Sequence, residues 1–502
     1  MTGAELRQFE RVFDSSGIVP ELEEAITKLH TRPGRTRRFP VKALLIGLML
    51  SSREGSMHLI GVHTLLNDLP KATKERLGID RPGGITRRQV QSLYGAICHA
   101  IGGQTGLDDV CRKLIEATLP DDLGTTSIAI DSTAIHSWGR RRRTKTGKIR
   151  VADRDARWRG QKMATPWKLP VFGYDLTVAA TVPEFLPART VRGGLGADVA
   201  LVVTSMRFQP ANRDVVKAGV AVAAETAAFI GQLGDVIVDR GYTAKHDGTD
   251  FILPIRAMGG EPIFDLYNHQ RGVTGTSHGA FIIDGQPHSP ACPQALHNIT
   301  PPPVSATSAD KQTYQAQIAA RARYALKPHG SRKVTGAQDY QCPAAAGQLS
   351  CHLVPSSRTL GPHVLPALGA PMTVLPMSVC SKKYTRFAAG DIPLSQRELY
   401  GSHDWYQSFQ RRNRVEGVFG NLKNEACENL KRGTIRVMGL VKTGLMVAIS
   451  IATMNLRLLD LHTARNPKPV KKRRGRPRKN PLEVHRPAAV TVDLAGANAP
   501  PD

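Results

Sequence analysis

Two short runs constrain this chain more than anything else in it: Ser127-Ile-Ala-Ile-Asp131 and Asp235-Val-Ile-Val-Asp239. Each is nearly all apolar, is bounded by Gly or polar residues, and stops abruptly at an aspartate. Runs of this kind read as strands buried in a covered sheet, so the expected fold class is α/β. An Asp at the carboxyl end of a buried strand stands where open α/β sheets build their sites. A buried carboxylate is costly unless something positive pairs with it. For either Asp alone, the first residue of a turn is the commoner role. Two such strand ends plus a helix carboxylate would supply three acidic ligands for hard divalent cations.

The helix carboxylate comes from Phe409-Gln-Arg-Arg412-Asn-Arg-Val-Glu416-Gly-Val-Phe-Gly-Asn-Leu-Lys423. At 3.6 residues per turn, Arg412, Glu416 and Lys423 share one helix face, and Val415, Val418 and Leu422 form a neighbouring apolar stripe. A carboxylate between two cations at the margin of a packing face suits a site that takes metal and polyanion together. The same spacing also describes an ordinary i,i+4 Arg–Glu pair on a solvated face.

These residues resemble the DDE transposases of bacterial insertion sequences, in the group with the Tyr-x2-Arg-x3-Glu-x6-Lys signature. Arg412, Glu416 and Lys423 match its Arg, Glu and Lys, and Phe409 stands at the Tyr position without the hydroxyl. Asp131 matches the first acidic residue, and Asp239, followed by Arg-Gly-Tyr, the second. Asp155-Ala-Arg-Trp158, Phe172-Gly-Tyr-Asp-Leu176 and Asn455-Leu-Arg-Leu-Leu459 also look like the family. The resemblance runs from about Arg32 to Leu461. It implies an RNase H-like core in which Asp131, Asp239 and Glu416 hold two Mg²⁺ (or Mn²⁺) ions. It also implies DNA cleavage at element ends followed by strand transfer, and Arg412 and Lys423 holding phosphates. The implied partners are double-stranded DNA, as terminal inverted repeats and target, and further copies of the chain in a homodimer or larger synaptic complex.

Charge agrees with such a partner. Lys and Arg number 68 against 42 Asp and Glu, a net charge of +26, which points to a polyanion and first to nucleic acid. A membrane is not expected: the longest apolar stretch, 444–456, contains Ser450 and Thr453 and is short for a span. The amino-terminal residues do not read as a signal peptide, and seven cysteines, an odd number, suit a reducing cytosol. The expected location is cytoplasmic, at the nucleoid.

The expected organisation is a helical, DNA-binding 1–120; a first part of the core over 125–258; an insertion over 259–404; a second part of the core over 405–461; and a basic, Pro-rich, largely disordered tail over 462–502. In the first segment, Thr86 caps a short helix carrying Arg87 and Arg88, a candidate recognition helix. In the core, strands are expected over 127–130, 171–181, 200–208, 235–238 and 251–255, with a helix over 214–230. Between the first two strands, Arg140, Arg141, Arg142 and Arg143 lead a basic loop that continues through Lys145, Lys148, Arg150, Arg154, Arg157 and Arg159. It leaves from Asp131 and is placed to follow phosphates. Cys292, Cys342, Cys351 and Cys380, with His297 and His352 nearby, offer structural Zn²⁺ ligands, but no C-x2-C pair appears, and buried thiols are the plainer reading. In the tail, Arg474-Gly-Arg476-Pro with basic flanks resembles an AT-hook, thin and extended enough for a narrow minor groove. Two other functions share these features: a DNA-binding protein that has lost or changed its catalysis, and a two-metal nuclease that hydrolyses without joining.

Overall fold

The computed structural model describes residues 3–29, 39–139, 141–143, 146, 149–159, 171–186, 194–245, 247–303, 305–333, 335–359, 364–366 and 378–466. Seven helices come first: α1 Gly3–Ser16, α2 Ile18–Leu29, α3 Val41–Arg53, α4 Leu59–Asp68, α5 Lys71–Arg76, α6 Arg87–Ile101 and α7 Gln104–Glu116. α3, apolar all round, is buried nearly all round. α6 starts on the expected cap: Thr86 and Gln89 form a reciprocal capping box.

The chain then alternates strands and helices. β1 (Ile128–His136) is followed by a hairpin of β2 (Arg141–Arg143) and β3 (Ile149–Val151), then β4 (Arg157–Arg159) and β5 (Val171–Thr181). A small ribbon, β6 (Phe185–Leu186) with β7 (Gly194–Leu195), precedes β8 (Val203–Pro210). α8 (Val215–Ile230), β9 (Asp235–Val238), α9 (Ile252–Ala257) and β10 (Glu261–Phe264) follow. The carboxylate of Asp214 accepts the Val216 and Lys217 N–H groups and so starts α8 where the sequence predicts.

β10, β9, β1 and β5 lie side by side in that order, and β4 and β8 share the far edge of β5. β10, β9 and β1 are parallel, whereas β5 is antiparallel to β1, and β4 and β8 are antiparallel to β5. One face of this mixed sheet is covered by α8, α9 and the helix His403–Gln410, the other by the helices of the first region and the last helix.

Three assignments made from sequence are corrected here. β1 does not end before Asp131: it runs on through Ser132-Thr-Ala-Ile-His136, because all nine of its residues pair with β5. Residues 251–255 are not a strand, since 252–257 form helix α9. The strand expected there is β10, inside the segment read as insertion. The basic loop likewise contains the β2–β3 hairpin and β4, a sheet edge strand.

Beyond β10 lie two small antiparallel sheets: β11 (Val273–Ser277), β12 (Ala280–Ile283) and β13 (Gln286–His288), then β14 (Lys327–His329), β15 (Gln338–Gln341) and β16 (Thr385–Phe387). Between them runs α10 (Ser308–Ala322). Last come α11 (His403–Gln410), α12 (Asn413–Lys423) and α13 (Leu440–Arg465).

α13 locks the layers together. Asp155 accepts the Leu440 N–H at 2.8 Å and so caps its start. Within it, the buried Asn455 amide accepts the Val203 N–H, donates to the Val203 carbonyl and donates to Thr118. That one side chain satisfies backbone groups of β8, helix and strand being fixed together. Gly444 allows the close approach: a Cβ there would stand 2.6 Å from Leu107 Cδ2 and 2.8 Å from Phe208 Cδ1. By length and composition α13 is the one helix among the described residues that could cross a membrane, but most of it is buried against α7 and the sheet.

Candidate active site

The parallel register brings the two aspartates together. Ile130 of β1 pairs with Val238 of β9, and the next residue on each chain is Asp131 and Asp239. Asp131 thus stands where the parallel ladder ends, although β1 itself continues along β5. Its Oδ1 accepts the Ser132 N–H at 2.7 Å. Asp239 Oδ1 accepts the Arg240 N–H at 2.8 Å and starts a short 3₁₀ turn, so the turn role and the site position coincide in one residue.

The helix carboxylate is tied to the strand by Arg412. Arg412 is the N-cap of α12, not an interior position, because α11 and α12 are separated by a sharp turn there. Its Nη1 is 3.1 Å from Asp131 Oδ2 and its Nη2 is 2.6 Å from Glu416 Oε1. Val415, Val418 and Leu422 are buried as the apolar stripe predicts, whereas Glu416 keeps 53% of its side chain exposed. Lys423 donates to Thr133 Oγ1 at 2.5 Å, two residues beyond Asp131 on the same face of β1. Phe409 stacks on Trp405, with centroids 5.0 Å apart, and carries the Arg412 guanidinium 5.9 Å above its ring. An aromatic ring suffices for that support.

Burial raises the Asp131 pKa; the Ser132 N–H and Arg412 oppose the rise, and Asp239 and Glu416 add repulsion to it. Asp239 and Glu416 therefore both act on Asp131. The Tyr242 phenol is held protonated by burial and then by the field of Asp131, with Asp239 adding to it. Further along β1 the sign changes. Burial and then Arg159 depress Lys423. Burial, Arg432 and Lys423 depress His136. Arg159 reaches Ser132 and pairs with buried Asp175. The site is acidic at one end and basic at the other.

Among the described residues no group of three His, Cys, Asp or Glu side chains stands arranged as a metal cage. The donor chemistry nevertheless suits a hard cation: three carboxylates, one of them raised by burial and by its acidic neighbours, which a divalent ion would relieve.

A third strand-end aspartate escaped the sequence reading. Pro262-Ile-Phe-Asp265 repeats the pattern of an apolar run ending in Asp, and Phe264 pairs with Val238, which sets Asp265 next to Asp239. Asp265 is already satisfied by the Tyr400 hydroxyl at 2.6 Å and by Arg271 at 3.2 Å. Thr133, Arg159 and Tyr242 belong to the site as well; Arg159 was named in the basic loop and Tyr242 in the motif after Asp239, while Thr133 follows Asp131 without having been given a role.

Of the other expected DNA contacts, Arg87, Arg88, Arg154 and Arg157 are exposed. Arg140, Lys145, Lys148, Arg474 and Arg476 lie outside the described residues, as do the side chains of Arg141, Arg142, Arg143 and Arg150. Cys292, Cys342, Cys351 and Cys380 share one apolar cluster. No protein-family model matches the chain, and no curated protein matches it at a significant level.

Proposed function

We propose that this chain is a DDE-type transposase that cuts DNA at the ends of an insertion sequence and joins them to target DNA. The observation that carries the reading is the paired register of Asp131 and Asp239 on adjacent parallel strands, with Glu416 delivered to Asp131 through Arg412. The strand arrangement supports an RNase H-like interpretation of the core: three antiparallel strands, β1, β5 and β8, then two parallel ones, β9 and β10, on the other side of β1.

In this reading Asp131, Asp239 and Glu416 would hold Mg²⁺ or Mn²⁺, which would supply activation of the attacking oxygen and stabilisation of the leaving one. The chain's own groups do the rest. Arg412 neutralises Asp131 and Glu416 in the free protein and turns to a DNA phosphate when the carboxylates are otherwise engaged. Lys423 and Arg159, at the basic end, hold the adjacent phosphates, and the Phe409 ring supports Arg412. The protein works as a homodimer or larger assembly that brings two terminal repeats together, in the cytoplasm at the nucleoid, and its tail adds DNA affinity.

The test is cleavage of an element-end duplex with Mg²⁺ by Asp131→Asn, Asp239→Asn and Glu416→Gln. Each is expected to bind the duplex and leave it uncut. Cleavage near the wild-type rate by any of them removes that residue from the site. Without strand transfer of the 3′-OH product, the protein is a nuclease.

A second reading has its own observation. Arg412 closes an i,i+4 pair with Glu416 and reaches Asp131, and so could serve as a structural clamp in a DNA-binding protein without catalysis. On that reading Arg412→Ala lowers stability and leaves DNA processing absent in wild type and variant alike.

A further inference from the structure

Trp138 stands just past the end of β1, the strand that carries Asp131, and it is an exposed ring on a fixed mount. The residue is 40% exposed. The backbone on each side of it is tied down. The Ser137 N–H donates to the Phe172 carbonyl of β5 at 3.0 Å. The Ser137 hydroxyl donates to buried Asp153 at 2.5 Å and accepts the Gly139 N–H at 3.0 Å. The Tyr174 hydroxyl donates to the same carboxylate at 2.8 Å. Gly139 lets the chain pass close to it: a Cβ there would stand 2.8 Å from Asp153 Cβ. A buried, satisfied carboxylate thus fixes the segment that presents Trp138 to solvent.

The ring has a cation for a neighbour. The Arg436 guanidinium carbon lies 5.4 Å from its centroid, and Arg436 Nε donates to the Gly433 carbonyl at 3.2 Å, so the guanidinium is itself anchored. The other described tryptophans have aromatic neighbours inside the protein. Trp405 is buried against Tyr400 and Phe409, and Trp158, although exposed, rests on Phe172 with centroids 5.2 Å apart. Positive charge runs from the acidic site toward Trp138. Lys423 on Thr133 is followed by His136, which burial and then Arg432 and Lys423 depress, and by Arg432 and Arg436, both exposed. The acids nearby are engaged: Glu425 pairs with Lys431 at 2.7 Å, and Asp155 accepts the Leu440 N–H. A held, exposed aromatic beside arginines suits the face of a nucleic-acid base, with cations for the backbone next to it.

We propose that Trp138, backed by Arg436, is a stacking platform for an unpaired base of single-stranded DNA, with Arg432 meeting the adjoining phosphate. A base inside a duplex already has both faces stacked, so the platform takes bases that a strand end or a nick leaves unpaired. It lies beyond His136, which is about 17 Å along β1 from Asp131, and is therefore separate from the carboxylates. The choice of DNA as partner rests on the function proposed above; the stacking does not depend on the metal chemistry.

The experiment measures, without Mg²⁺, the affinity of the full-length protein for three labelled DNAs: a blunt duplex, the same duplex with an overhang of unpaired nucleotides, and the overhang strand alone. Wild type should bind the overhang duplex more tightly than the blunt one. Trp138→Ala should lose that preference, weakening the overhang and single-strand complexes by about tenfold and the blunt complex little. Trp138→Phe should keep most of the affinity, while the tryptophan quenching that the single strand causes in wild type should fall. The proposal is overturned if Trp138→Ala binds all three DNAs as wild type does, which leaves DNA binding intact without the platform, or if it weakens all three alike, which makes Trp138 a structural support. Tighter binding of the same strand as RNA, lost equally in Trp138→Ala, would give the platform to RNA and overturn its assignment to DNA. If wild type binds none of the DNAs, the platform and the DNA-processing reading fall together. Should Trp138→Ala fail to fold, unchanged quenching in Trp138→Phe overturns the proposal.

Discussion

The two ends of strand β9 carry the same chemistry in opposite settings. At its start, Asp235 is buried and fully engaged: Arg397 grips both oxygens at 2.9 Å, and Arg411 adds another bond at 2.5 Å. Arg411 is itself 1% exposed and also bonds Ser408 and the Pro183 carbonyl. Just past its end, Asp239 has no ion pair among the described residues, and its neighbour Asp131 shares the single cation Arg412 with Glu416. The two arginines are consecutive, so one sharp turn between α11 and α12 serves both clusters. A carboxylate whose bonds are all made inside the protein serves the fold. One left under-neutralised at an open sheet end has capacity for something from outside.

The largest expected effect falls at the closed end. Arg411→Ala leaves Asp235 with one partner fewer in a buried place and should cost about 3–5 kcal/mol in urea unfolding. A cost below 1 kcal/mol would erase the contrast between the ends. Asn455→Leu removes a second buried polar clamp, orphaning the Val203 N–H and carbonyl, and should cost about 2 kcal/mol, measured the same way.

The open end should respond to cations and pH rather than to truncation. Mg²⁺ or Mn²⁺ at ten times its dissociation constant should stabilise the wild type by about 1.4 kcal/mol. Asp131→Asn should lose most of that gain, and equal stabilisation of both proteins would place the ions elsewhere. The sign of the pH effect follows from the raised Asp131 pKa. The folded state binds this proton more readily than the unfolded chain, so Asp131 costs stability as pH rises from its unfolded pKa through its folded one, and the cost persists at neutral pH. Asp131→Asn should therefore be as stable as wild type or more stable at pH 7 without metal, with the difference vanishing in acid. A variant clearly less stable at pH 7 would mean that the carboxylate serves the fold after all.

The smallest effects belong to the cations. Arg412→Ala and Lys423→Ala should each change stability by about 1 kcal/mol or less, while weakening binding to element-end DNA and flattening its salt dependence. A large loss of stability with DNA binding intact would move Arg412 into the class of Arg411.

Much of this was legible in the chain because local pattern carries it. The apolar runs before Asp131 and Asp239 became buried strands, Thr86 and Asp214 became caps, and Val415, Val418 and Leu422 became the packed stripe of α12. Where the reading failed, a tertiary partner had overruled local composition. The polar half of β1 is strand because β5 pairs with all of it, residues 252–257 are helical despite their apolar run, and β10 supplies the strand expected there. Asp265 shows the limit most clearly. Its run looks like those of Asp131 and Asp239, and only the side chains that reach it from distant segments, Tyr400 and Arg271, separate it from Asp239, which has no ion pair among the described residues, and from Asp131, which shares its one cation with Glu416. The sequence by itself determined where carboxylates end apolar runs, since burial and periodicity are local in the chain. Which of them are neutralised was decided by the tertiary structure alone, because the neutralising arginines come from far along the chain and the cost of a buried charge depends on what stands next to it in space.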